Sequence, residues 1–192
     1  MAATAPVILV FGDSLAAGYG LPQGKGWVDL LQKKLLDGGF DYRVVNASVS
    51  GETSLGGRNR LPAALTSHSP QIVILELGSN DGLRGQPLSA LRDNLVAMIQ
   101  DARRARARVL LAGMRIPPNY GPDYTRKFQA TFTEVAGAQH VPLVPFLLEG
   151  FASQPEMFQS DGMHPNEQAQ ARILANVWSQ LASQLRKPAR PR

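Results

Sequence analysis

Ser14 stands in Phe11-Gly12-Asp13-Ser14-Leu15, directly after a short apolar run, where a serine can act as a nucleophile if an imidazole reaches it. Alanine at position 16 rules out the G-x-S-x-G elbow, and taken alone Ser14 is equally readable as a capping serine in a strand-to-helix loop. The chain holds three histidines, so every candidate base can be weighed. His68 and His140 each precede an apolar run, which puts them at the amino edge of a sheet, away from Ser14. His164, in Asp161-Gly162-Met163-His164-Pro165, follows the last run and precedes a final helix whose expected first residue is Pro165. Asp161 lies three residues earlier and is followed by glycine, so it can curl back to accept a hydrogen bond from Nδ1 of His164. That bond fixes the tautomer that turns Nε2 toward Ser14. Singly, Asp161 and His164 are ordinary helix-start residues. With Ser14 they make a nucleophile, a base and its orienting acid, the set that acyl transfer needs.

Acyl transfer also needs donors for a developing oxyanion. The second apolar run leads into Asn46-Ala47-Ser48-Val49-Ser50-Gly51, and the third into Gly78-Ser79-Asn80-Asp81-Gly82. Gly51 can bring a backbone N–H close to substrate, and Asn80 can donate from its side-chain amide. Each is also a common turn residue.

The elements that must hold these residues are legible from hydrophobic periodicity. Val7 to Phe11, Tyr42 to Val45, Ile72 to Leu75, Val109 to Ala112 and Val141 to Phe146 read as buried strands. Between them, Trp27, Leu31 and Leu35 step by four. Leu88, Leu91, Leu95, Met98 and Ile99 step by three and four, and Ala169, Ile173, Leu174, Val177, Trp178 and Leu181 share one face of a last helix. Asp123 to Ala138 reads as a helix, and Ser54 to Ser67 as a weaker one broken at Pro62. Alternating strands and helices imply right-handed crossovers and a parallel sheet covered on both sides, an α/β fold built as a three-layer α/β/α sandwich. Ligands of such sheets bind beyond the carboxyl ends of the strands, where the candidate residues fall.

With 192 residues, 44% of them apolar and 18% charged, the chain can bury one core without disulfides. It is expected to form a single domain over residues 1–185, followed by a basic, disordered tail over 186–192. Arg186, Lys187, Arg190 and Arg192 supply four of the five net positive charges, so the body is nearly neutral. That tail and the cluster Arg103, Arg104, Arg106 and Arg108 read as solvated surface rather than a phosphate footprint. The absence of cysteine excludes disulfides, thiolate metal sites and a cysteine nucleophile. No apolar run reaches the eighteen or so residues of a membrane span. Ala3-Thr4-Ala5 has the small-x-small pattern left by signal peptidase, so an exported mature protein is expected, with an ordinary cytoplasmic start as the alternative.

Gly12-Asp13-Ser14-Leu15, Gly51, Gly78-x-Asn80-Asp81 and Asp161-x-x-His164, in this order, resemble the blocks of the SGNH, or GDSL, hydrolase superfamily. Ala17-Gly18-Tyr19-Gly20-Leu21, the stretch from Leu75 to Gly85, and Arg115-Ile116-Pro117-Pro118-Asn119-Tyr120-Gly121 look like its bacterial thioesterase, lysophospholipase and arylesterase branch. The resemblance implies Ser14 as nucleophile, with Asp161 and His164 completing the triad. It also implies an oxyanion hole from the N–H groups of Ser14 and Gly51 and the Asn80 amide. A five-stranded parallel sheet in the order 2-1-3-4-5 is implied, together with a periplasmic enzyme that uses neither metal nor cofactor. Such an enzyme is expected to act as a monomer on a small acyl ester or thioester, without a nucleic-acid partner or stable membrane insertion. Leu15, Tyr19, Leu83, Met114, Ile116, Tyr120 and Met163 are candidates for an acyl groove, with core packing as the alternative for each. Arg84 and Arg115, the nearby cations, suit a polar or anionic head group. The loop from Asn80 to Pro87, with Gly82 and Gly85, is expected to move on substrate binding.

Three rivals remain. A metallophosphoesterase would use Asp13, Asp81 and His164, but such sites need more histidines and carboxylates. A nucleotide-binding module would rest on Gly20-x-x-x-Gly24-Lys25-Gly26, which is one residue short of a P-loop and lacks its hydroxyl. A carbohydrate O-deacetylase would keep the same catalytic residues and differ in its pocket.

Overall fold

The computed structural model describes residues 5–187. Five parallel strands, β1 (Val7–Gly12), β2 (Arg43–Asn46), β3 (Ile72–Glu76), β4 (Arg108–Ala112) and β5 (Leu143–Val144), form one sheet in the order β2-β1-β3-β4-β5. This is the order expected from the resemblance. β1 and β3 are buried at every position, because helices cover both faces of the sheet and each residue must be apolar or specially accommodated. β2 lies at the edge and is only half-buried.

The helices are α1 (Ser14–Ala17), α2 (Trp27–Asp37), α3 (Ser54–His68), α4 (Ser79–Leu83), α5 (Leu88–Arg104), α6 (Pro122–Gln139) and α7 (Glu167–Leu181). α2 packs with α7 on one side of the sheet, and α3, α5 and α6 pack in series on the other. Trp27, Leu31 and Leu35 are fully buried, and so are Leu95, Met98, Ile99, Ile173, Val177 and Leu181. The four-step apolar patterns therefore mark the faces that drive packing. Leu88 and Trp178 are the exceptions: both are half-buried, and Trp178 is set edge-on to Phe40 with Lys34 over its ring. Among the described residues no helix is long and apolar enough to cross a membrane.

Several local expectations need correction. α3 runs unbroken through Pro62. That proline is exposed, so its ring lies on the solvent side of the helix, where water can serve a backbone acceptor left without its N–H. β5 is confined to two residues rather than reaching from Val141 to Phe146, because Pro142 and Pro145 flank it and neither can donate to a ladder. Phe146, Leu147 and Leu148 leave the sheet and turn into the interior instead. Of the arginine cluster, Arg108 is not simply solvated: it opens β4, is half-buried, and donates to the carbonyl of Gln184. At the carboxyl end Arg186 gives its backbone N–H to the Tyr42 hydroxyl at 3.3 Å, and Lys187 sits over the Phe40 ring. The rest of the basic tail, including Arg190 and Arg192, and Ala3 and Thr4 of the proposed processing signal lie outside the described residues.

Candidate active site

The site is assembled at the carboxyl edge of the sheet. Gly12 ends β1, and a Cβ there would meet the carboxyl of Glu76 and lie 2.7 Å from its backbone oxygen. The residue is thus demanded by the close approach of β3 and not by the turn, since its φ is not in the left-handed region. Asp13 then caps α1, its Oδ1 accepting the Leu15 N–H at 3.0 Å. Ser14 occupies the first helical position, so its own N–H has no intrahelical acceptor.

Across the crevice, Gly162 at φ +67° lets the segment before α7 fold back on itself. Asp161 Oδ1 accepts the N–H groups of Met163 (2.9 Å) and His164 (3.0 Å), while Oδ2 lies 2.6 Å from His164 Nδ1. His164 Nε2 lies 2.9 Å from Ser14 Oγ. The three residues separated by up to 150 positions thus meet as a hydrogen-bonded chain. The backbone N–H of His164, its ring and the N–H of Met163 together hold the Asp161 carboxyl down at about 2. It stays an acceptor over the whole neutral range. The Tyr19 ring lies against the imidazole, with centroids 4.5 Å apart. Pro165 does not begin the last helix as expected. It pairs in an antiparallel bridge with Phe158, and Asn166 caps α7 by accepting from Gln168 and Ala169.

The candidate oxyanion donors border the same cavity. Gly51, at φ +79°, and Ser14 have backbone N–H groups without a hydrogen-bond partner among the described residues. The Asn80 amide donates to the carbonyl of Glu52 at 3.0 Å and to Asp13 Oδ2 at 3.2 Å. The first bond is the shorter and fixes the amide plane; the second is long, and points to the hydrogen that an incoming oxyanion would compete for.

Beneath Ser14 lies a pair of acids: Asp13, which the sequence offered only as a metal ligand, and Glu76, which sequence reasoning did not single out. Asp13 and Glu76 are wholly buried, and Glu76 Oε2 accepts the Asp13 N–H at 3.2 Å. Burial pushes the Asp13 carboxyl up to about 6, against the opposing hydrogen bond from Leu15. Burial and the charge of Asp13 drive Glu76 well above the usual carboxylate range. The available signal was a glutamate inside an apolar run. Linkage makes this a stability statement: folded Asp13 holds its proton to about pH 6, whereas the unfolded chain releases it near 3.8. The contribution is therefore present below that lower value and lost as pH rises through about 6, and Glu76 carries the decline further. Asp161 acts in the opposite sense, losing its contribution as pH falls toward about 2, but it is more than a third exposed and adds little. The thermal unfolding midpoint is expected to be highest near pH 4 and to fall toward pH 7, less steeply in Asp13→Asn. A flat wild-type profile across that window would refute this electrostatic account.

A cavity of about 590 Å³ opens from Ser14 and His164. Of the acyl-groove candidates, Leu15, Tyr19, Leu83, Met114, Ile116 and Met163 line it; Leu15, Met114 and Ile116 also belong to the core. Tyr120 does not line it. Its hydroxyl donates to the carbonyl of Leu83 at 3.1 Å, and Tyr124 likewise donates to Gln86 at 2.9 Å, so both tie down the segment after Asn80. Gly82 has a packing role, since a Cβ there would lie 2.6 Å from the Phe128 ring. Phe146, Leu148, Ala152 and Phe158 complete the apolar wall and were missed. They follow β5, where the carboxyl-edge rule points, but Phe146 had been assigned to the strand. Arg115 reaches the cavity, paired with Glu149 at 3.3 Å and stacked on Phe146. Arg84 does not line it, and donates to the Gly51 carbonyl at 3.1 Å.

The rival constellations do not assemble. Asp81 turns from the crevice to Ser54, and among the described residues no three His, Cys, Asp or Glu side chains converge as a metal ion would require. Lys25 pairs with Glu167 at 2.7 Å. His68 ends α3 and His140 caps α6, both at the amino edge.

Comparison with known proteins identifies the family. Residues 10–172 match the model of the GDSL-like Lipase/Acylhydrolase family. The esterase TesA of Pseudomonas aeruginosa is 52% identical over 179 residues, 93% of this chain and 89% of that protein. Thioesterase 1/protease 1/lysophospholipase L1 of Escherichia coli K12 is 43% identical over 169 residues, 88% of this chain and 80% of that one. The crystal structure of the psychrotrophic esterase EstA from Pseudoalteromonas sp., inhibited by monoethylphosphonate, superposes with a TM-score of 0.88 at 40% identity, covering 93% of this chain and 97% of that one. With the family model matching most of its length and these relatives spanning nearly all of it, this chain belongs to the GDSL-like lipase/acylhydrolase family.

Proposed function

We propose that the protein is a serine esterase and thioesterase that hydrolyses acyl esters and thioesters, among them aryl esters, acyl-CoA and lysophospholipids, through an acyl-enzyme on Ser14. The observation that carries this reading is the 2.9 Å contact of Ser14 Oγ with His164 Nε2 at the mouth of a cavity walled by apolar side chains. The names of the relatives, esterase and thioesterase/lysophospholipase, and the phosphonate inhibition of EstA support it.

In the first step Ser14 Oγ attacks the acyl carbon while its proton passes to His164 Nε2. Negative charge gathers on the carbonyl oxygen, held by the N–H groups of Ser14 and Gly51 and by the Asn80 amide. The bond to the leaving group breaks as His164 returns the proton to the departing oxygen or sulfur. Water then gives a proton to His164 and attacks the acyl-enzyme, and Ser14 leaves reprotonated. Asp161 keeps Nδ1 protonated and steadies the imidazolium throughout.

The cavity wall predicts broad acyl specificity. Each added methylene is expected to gain at most about 0.8 kcal/mol until the chain outruns the apolar surface. We expect kcat/KM for p-nitrophenyl esters and acyl-CoAs of about two to sixteen carbons to rise gradually to an optimum, with aryl esters fastest. A preference for acetylated xylan with no gain from longer chains would overturn the assignment and leave a carbohydrate deacetylase.

A further inference from the structure

One buried polar cluster lies outside the acyl-transfer machinery. Asp81 follows Asn80 in α4, and its carboxylate accepts both the Ser54 N–H, at 2.8 Å to Oδ2, and the Ser54 hydroxyl, at 2.5 Å to Oδ1. Asn94 of α5 donates from Nδ2 to the Ser54 hydroxyl at 2.9 Å, and Arg58 donates to Asn94 Oδ1 at 3.2 Å. Ser54 is completely buried, and Asp81 and Asn94 are 5% exposed. The Asn94 donation occupies an acceptor site of the hydroxyl, which leaves its proton directed at Asp81. Both carboxylate oxygens have donors, so the cluster is closed and has one low-energy arrangement.

Its location gives it a task. Ser54 opens α3 three residues after Gly51, and Asp81 comes one residue after Asn80. These two loops leave β2 and β3, which are not neighbours in the sheet, because β1 runs between them. No strand ladder therefore sets the distance from Gly51 to Asn80. An oxyanion hole works only when its donors converge within a few tenths of an ångström on one oxygen.

We propose that Asp81 and Ser54 are positioning residues that clasp the Gly51 loop to the Asn80 helix and thereby set the spacing of the oxyanion donors, with Asn94 holding the Ser54 hydroxyl in register. The inference rests on the acyl-transfer reading. The other bonds across the same gap, Asn80 to the Glu52 carbonyl and Arg84 to the Gly51 carbonyl, are neutral-acceptor contacts at 3.0 and 3.1 Å; the clasp is the one with a carboxylate and two short donors.

The test is a double-mutant cycle on a p-nitrophenyl ester. Asn80→Ala alone should lower kcat by about 10²–10³. Ser54→Ala should lower kcat by roughly 10–100-fold with KM changed less than about threefold, and inactivation by a p-nitrophenyl alkylphosphonate should slow in parallel. In the Asn80→Ala background, Ser54→Ala should cost less than about threefold more, because the donor it positions is already absent. Equal losses in both backgrounds, a loss confined to KM, or wild-type kcat in Ser54→Ala would each overturn the clasp and leave the acyl-transfer reading standing. Wild-type kcat in Asn80→Ala would overturn the clasp and the oxyanion assignment together. Should Ser54→Ala fail to fold, Asn94→Ala, on α5 and outside both loops, provides the same cycle.

Discussion

Ser14→Ala is expected to lower kcat by roughly 10⁴–10⁶-fold while the protein still unfolds cooperatively near the wild-type temperature. The catalytic loss is large because no other hydroxyl can substitute. Ser50, Ser79 and Ser153 also line the cavity, but none hydrogen-bonds to His164. The structural cost is small because the Ser14 hydroxyl touches His164 at 2.9 Å and holds no element in place, while the cap of α1 is made by Asp13. Residual activity should come from the oxyanion donors and substrate binding, which survive the substitution. A fluorophosphonate should label Ser14 in the wild type and nothing in Ser14→Ala; persistent labelling, located by peptide mass, would name another nucleophile.

His164→Ala should be about as damaging as Ser14→Ala, and Asp161→Ala should retain more activity than either, by roughly one to two powers of ten. His164 takes a proton from Ser14 and returns it to the leaving group, so without it both transfers fail. Asp161 transfers no proton. Its carboxyl, held at about 2, stays ionised at any assay pH and acts by orienting the ring at 2.6 Å and by balancing imidazolium charge. Yet Asp161 also accepts the N–H groups of Met163 and His164, so its removal loosens the turn that carries the base. The Tyr19 ring against the imidazole retains part of that orientation. Steady-state kcat for the three variants checks the order, and full activity in Asp161→Ala would contradict this role.

Two features of the site make both results sensitive to context. The acids Asp13 and Glu76 lie directly under the nucleophile turn, so a charge change there acts on that turn through the Asp13 N–H and on the candidate oxyanion donor Asn80 through Asp13 Oδ2. The oxyanion donors sit on loops from non-adjacent strands and depend on side-chain contacts for their spacing. Substitutions at Asp13, Ser54 and Asp81 are therefore expected to alter rates without touching substrate.

Local chemistry explains why much was legible in the amino-acid order. A four-residue apolar step needs only helix geometry, so the buried faces of α2, α5 and α7 could be read directly. The Asp161-to-His164 contact spans three positions, one of them a glycine, so the turn itself brings carboxylate to imidazole. With three histidines in the chain and alternating strands that sort loops to two edges, elimination left one base for Ser14. What required the tertiary structure was every feature set by packing between distant segments. Gly12 is glycine because Glu76, sixty-four residues away by number, presses against it, a distance that no turn preference encodes. Phe146 lines the cavity instead of extending a strand because flanking prolines end the ladder, and Tyr120 straps Leu83 instead of lining the cavity. Asp81 read as a crevice residue, but a buried carboxylate must find donors, and Ser54 supplied them from the start of α3, twenty-seven positions away. Periodicity and turn chemistry act over a few residues and can be read along the chain; the spacing of donors, the cavity wall and the burial of Asp13 and Glu76 arise only when the layers close over the sheet.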